Sequence, residues 1–249
     1  MTAMQEHGQA ITDVTPDTVH IRTLNHAGRR LATLSPVTAP AAAPESRSDK
    51  KERTRRAILD AALSLTEDVG LAGLSLRQVA KEVGIVPTAF YRHFASIDEL
   101  GLALVEESFA SLRAMIRDVR QGAPSLGQIV DRSVAVLIEH VRDRRDHFGF
   151  IARERSGGSV VVRETIRREF ELFERELATD LARLPMDHWS SDDLRILSNL
   201  IVRSMVNTSE DILRAEDRDL PEIRHRARTQ LLMMIVGALN WNSNAGGRA

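Results

Sequence analysis

Four side chains within six positions, Thr88, Tyr91, Arg92 and His93, can reach phosphates or base edges. Thr88 offers a hydroxyl to a base or a phosphate, and neighbouring Ala89 offers a methyl that suits the methyl of thymine. The Arg92 guanidinium pairs bidentately with guanine and serves equally well on phosphate.

Such side chains need short, rigid elements to present them. Leu76, Val79, Ala80 and Val83 form an apolar stripe at helical spacing, with Ser75 before it as N-cap. Gly84 ends that helix and permits the positive φ of a tight turn, which Ile85 plugs. Pro87 opens a second short helix, where a missing N–H is tolerated, and the pattern carries it from Thr88 to about Phe94. Two short helices joined by a glycine turn predict a helix-turn-helix, the second helix entering a major groove while the first crosses the backbone. Arg77 on the first helix adds a phosphate contact.

The flanks complete the reader. Arg47, Lys50, Lys51, Arg53, Arg55 and Arg56 cluster just before a helix with Ile58, Ala62, Leu65 and Val69 on one face, which Gly70 closes. A helix start favours acids, so this basic group serves either a phosphate partner or a solvated face. Downstream, Ser96 and Glu99 have capping-box spacing, and Leu100, Leu104, Phe109, Leu112 and Ile116 continue a fourth helix to about residue 119.

The remaining pattern is helical throughout: about 126–142, 147–155, a long helix to Leu184 that Pro185 stops, one from Asp192, and a last from Pro221. The expected fold is all-α, an N-terminal three-helix helix-turn-helix domain plus a C-terminal helical ligand-binding and dimerisation domain. The boundaries read as a disordered extension over 1–46, a DNA-binding domain over 47–95, an effector and dimer domain over 96–243, and a flexible tail over 244–249.

Composition narrows the function. Among 249 residues the net charge is −1, so affinity for DNA has to come from a local patch. With no cysteine, disulfides and thiolate metal sites are excluded, which fits a reducing, cytoplasmic setting. The apolar run over 231–239 is too short to span a bilayer, and no secretory leader pattern opens the chain, so no membrane partner is expected. No GxSxG elbow, HExxH pair or Walker loop is present, and the eight histidines lack ligand spacing, so an enzyme, a cofactor and a metal are not expected. Near-neutral charge also argues against a sequence-neutral architectural DNA protein.

The blocks Thr54 through Ala62, Gly70, Leu74 through Ala80, Gly84-Ile85, Phe90 through Phe94 and Leu100 together resemble the N-terminal domain of the TetR family of repressors. The resemblance implies a dimer in which each subunit joins a three-helix DNA-binding domain to a larger helical domain that binds a small effector. It also implies that Tyr91 and His93 grip phosphate oxygens and that Phe90 and Phe94 lie inside. The basic arm here follows a long extension, whereas the family carries it near the start. Residues 87–94, with Asp98 through Leu102 behind them and Arg153 through Gly157 further on, resemble the TetR subgroup that controls fatty-acid synthesis and desaturation. That implies a long-chain acyl-CoA or fatty acid as effector. A TetR-type repressor of an efflux or catabolic operon, sensing another small hydrophobic molecule, is the alternative.

Two reader helices on a two-fold dimer demand a palindromic double-stranded operator. The segment 231–239 is apolar on every face, which suits a dimer seam or a central helix of a monomer. Phe148, Phe150, Ile151, Phe170, Phe173, Ile201 and Met205 either line an apolar effector cavity or are plain core. Arg153 and Arg155, beside Ser156-Gly157-Gly158, either hold a phosphate head group or stand solvated on a surface turn. Asn199, Ser204 and Asn207 face either the cavity or the dimer partner.

Overall fold

A computed structural model describes residues 46–120, 125–183 and 189–241. Among these the regular elements are all helical: α1 (Arg47–Gly73), α2 (Leu76–Val83), α3 (Pro87–Phe90), α4 (Ile97–Arg120), α5 (Leu126–Asp143), α6 (Arg145–Gly157), α7 (Val160–Leu181), α8 (Ser191–Arg214) and α9 (Leu220–Leu239). The extension up to residue 45, the stop at Pro185 and the terminal tail lie outside the described residues.

The helix starts follow from local chemistry. Ser46 accepts from the Asp49 amide while Asp49 caps the Ser46 amide, so α1 begins in a reciprocal box. Ser75 does the same with Gln78 for α2. Ser96 accepts from the Glu99 amide as expected, and Glu99 reaches back to the Ala95 amide at 2.6 Å. Gly84 closes α2 in the left-handed region (φ 73°, ψ 29°). There the Ile85 amide bonds the Ala80 carbonyl, which sets the chain direction for α3.

Three elements differ from the pattern. The α3 helix is a single turn, followed by a hydrogen-bonded bend in which the Arg92 amide bonds Ala89 O and the His93 amide bonds Phe90 O. These shorter-range bonds tighten the backbone and end the helix at Phe90 instead of Phe94. Gly70 does not close α1; it kinks it (φ 66°, ψ 170°), and the trace continues to Gly73. The helix expected over 147–155 runs from Arg145 to Gly157.

One continuous apolar core joins the elements. Ile58, Ala62, Val79, Phe90, Phe94 and Leu100 fill the space among α1 to α4, and Leu104, Phe109, Val134, Val141, Phe150, Ile166 and Ile212 extend it through the C-terminal helices. At Gly101 α4 packs close to α1 and α7. A Cβ there would stand 2.5 Å from Leu71 Cδ2 and 3.0 Å from Val162 Cγ2, so a larger residue would make the Leu71 side chain shift between α4 and α1. No helix among the described residues is long and apolar enough to cross a membrane.

Candidate nucleic-acid interface

The reader is built by burying its two phenylalanines and exposing its polar side chains. Phe90 and Phe94 are wholly buried, their ring centroids 5.8 Å apart, and they anchor α3 on the core. Thr88 before them and Tyr91 and Arg92 between them are exposed, while Ala89 and His93 are half-buried. Tyr91, with over half of its surface exposed, meets Phe90 edge-on at 6.1 Å, so its phenol projects outward from a fixed base.

The start of α1 returns to the same surface. The Arg55 guanidinium stacks over the Phe94 ring at 4.4 Å. Lys51, Arg55 and Arg92 all act electrostatically on His93. Burial first, then these three cations, hold the His93 imidazole below its ordinary pKa of 6.5, with Glu52 opposing. Its Nδ1 is buried without a hydrogen-bond partner among the described residues. Lys50, Lys51, Arg53 and Arg77 are exposed. Lys51 and Arg55 are thus brought to Arg92 and His93, 37 to 42 positions away in sequence, as one cationic group beside α3, a surface suited to phosphate. Arg56 instead pairs with Glu107 on α4 and ties α1 to that helix.

The expected effector residues also come together. Phe148, Phe150, Ile151 and Phe173 are buried, and Phe170, Ile201 and Met205 pack against the same core. Phe109 of α4 lies at the centre of the aromatic group, 5.1 Å from Phe170 and 5.5 Å from Phe173. Its place could be read as an apolar position of α4, but nothing local in the sequence told that it meets α7. Arg113 stacks over Phe173 at 5.5 Å and pairs with Glu169. In the structure this group is packed core. A separate polar cleft of about 250 Å³ lies among α4, α5 and α6, lined by Glu107, Ser111, Ala114, His140, Arg144 and His147.

Arg153 and Arg155 depart from the expected phosphate cradle. Arg153 donates to the Thr66 carbonyl at 2.6 Å, and Arg155 pairs with Glu210 at 2.6 Å, so both guanidiniums are engaged within the chain. The Gly158 amide likewise bonds Glu154 O. Asn199 and Ser204 are also satisfied internally, by Glu174 at 2.8 Å and Gln230 at 3.4 Å.

Residues 58–104 match the family model for bacterial regulatory proteins of the tetR family, and residues 126–238 match the tetracyclin repressor-like C-terminal domain. The chain belongs to the TetR family. As a TetR regulator it is a DNA-binding transcriptional regulator and not an enzyme. The fold agrees with solved structures of other regulators. A transcriptional regulator from Rhodococcus sp. Rha1 shares 19% identity at a TM-score of 0.61, over 74% of this chain and 96% of that one. The fatty acid degradation regulator FadR from Bacillus halodurans shares 13% at 0.60, over 72% and 94%. FadR from Bacillus subtilis, solved in complex with stearoyl-CoA, shares 14% at 0.59, over 71% and 96%. At these identities the likeness is one of fold.

Proposed function

We propose that this TetR regulator is a dimeric repressor of lipid or fatty-acid genes, controlled by a long-chain acyl-CoA-type effector. The aromatic contact between α4 and α7 carries the reading. An acyl chain needs only apolar surface, and Phe109, Phe170 and Phe173, with Phe148, Ile151, Ile201 and Met205 of the same core, supply it. A chain inserted there separates α4 from α7. Because α4 begins immediately behind the reader, that separation shifts the reader and favours one of two states of the dimer. The stearoyl-CoA complex of B. subtilis FadR supports the ligand class. Arg153 and Arg155 are left out of this pocket, since each is already bonded inside the chain.

In this reading residues 47–95 bind DNA and 96–243 bind effector and partner. Thr88 and Ala89 face bases, and Tyr91, His93, Arg77, Lys50, Lys51, Arg53 and Arg55 hold phosphate. The dimer forms on α8 and α9, where Ile196, Leu200, Met233, Val236 and Leu239 are exposed. Apolar side chains of this size, on adjacent helices that pack together, are the surface of an interface. The two reader helices then address a palindromic operator.

The test is operator binding by the purified dimer with and without stearoyl-CoA, together with mass analysis of any ligand that co-purifies. A change in affinity of about fivefold or more supports the reading. A protein that carries no acyl species and ignores stearoyl-CoA sinks the lipid assignment and leaves a sensor of another hydrophobic molecule.

A further inference from the structure

The kink of α1 is held by another helix. Two backbone groups flank Gly70 in the chain, and side chains from α6 take both. The Leu71 amide donates to Glu154 Oε1 at 2.8 Å, across 83 residues, and Arg153 donates to the Thr66 carbonyl at 2.6 Å, across 87. Glu154 is only 2% exposed. Gly158 packs directly on its carboxylate, where a Cβ would overlap Oε2. Leu71 itself is buried against Gly101 of α4 and is therefore fixed at both its amide and its side chain. One residue further along α6, Arg155 pairs with Glu210 of α8. So α6 grips α1 with two adjacent residues and α8 with the third.

We propose that Arg153 and Glu154 are positioning residues for DNA binding, coupling α6 to the angle of the reader. A glycine kink leaves the backbone free to turn, and the two charge-assisted bonds that span it set one angle. Elsewhere the chain caps its helices locally, as Ser75 and Gln78 do for α2. At this end the cap is drawn from the C-terminal helices, so α6 and the reader move together or the cap breaks. This gives a second route beside α4 by which the state of the core reaches the operator. It requires DNA binding and a coupled α6, and is independent of which effector the core takes.

Coupling between sites is reciprocal, so operator binding has to be felt in α6. The experiment follows amide exchange by mass spectrometry in the full-length protein, free and bound to an operator duplex selected by that protein from random DNA. In the native protein, DNA is expected to slow exchange over α2 and α3, and to change exchange in α6 by about fivefold or more. In Glu154→Ala and in Arg153→Met, the α2 and α3 protection is expected to persist while the α6 response is lost. Glu154→Gln keeps an acceptor for the Leu71 amide and is expected to restore it. Arg153 is exposed, so Arg153→Met remains informative where the buried substitution fails to fold. A merely structural cap predicts lower stability with the α6 response intact. That result in Arg153→Met, or an α6 that does not respond to DNA in the native protein, overturns the proposal.

Discussion

At the scale of single residues, the reader is a matter of which side chains stay outside. Burial of Phe90 and Phe94 forces Tyr91 and Arg92 to the surface and leaves His93 between the two environments. Arg92 follows α3 in the bend and lies in the cationic group around His93, which favours phosphate over base. Arg92→Ala is therefore expected to weaken operator and random DNA alike, and to lower the slope of log affinity against log salt by about one per subunit. Relaxed specificity with an unchanged slope would place Arg92 on a base instead. The depressed pKa of His93 gives two opposite pH effects. The unfolded imidazole, near 6.5, binds its proton more readily than the folded one. That contribution to stability is therefore complete above 6.5 and falls as pH drops through 6.5 toward the lower folded value. Bound phosphate reverses the local field and raises the pKa, so DNA affinity is expected to rise as pH falls over the same range. Thermal melts and DNA titrations at pH 7.5 and 5.5, on native protein and His93→Gln, check both signs.

At the scale of elements, α1 is where the pattern and the structure part. Gly70 occupies a backbone region that side chains rarely enter. Gly70→Ala is expected to lower the stability by about 1–3 kcal/mol in urea denaturation, the usual strain of such a position. The helix-turn-helix was legible because its signals are local: Ser75, Gly84 and Pro87 act within a few residues of themselves. The exposed polar set on the reader was legible for the same reason. The kink read as a helix end because glycine signals both, and what decides between them is Glu154, far along the chain. Arg153 and Arg155 suggested a phosphate site by side-chain type. Their true partners, a backbone carbonyl and Glu210, leave no mark near them in sequence. Likewise the Phe109 contact with Phe170 and Phe173 depends on the packing of α4 against α7, which periodicity alone does not pair.

At the scale of the whole molecule, the chain separates charge from apolar surface. Its net charge is −1, yet Lys51, Arg55 and Arg92 gather around His93, while exposed apolar side chains stand on α8 and α9. Met233, 69% exposed, is the most open large apolar residue of those two helices. Met233→Glu combined with Ile196→Glu is expected to give a folded monomer by sedimentation, bound to a half-site with affinity at least about a hundredfold below that of the dimer on the full operator. A stable dimer in that variant would move the seam elsewhere. The length of α1 adds a mechanical consequence. From Arg47 to Gly70 the helix spans about 35 Å, at ~1.5 Å per residue. On the coupling proposed above, it acts as a lever with its fulcrum at the kink. A tilt of about 5° there sweeps the basic tip through about 3 Å, close to the ~3.4 Å step between base pairs. On that proposal, sub-ångström shifts of Arg153 and Glu154, close to the fulcrum, would be magnified into a misfit of nearly one rung of the DNA ladder.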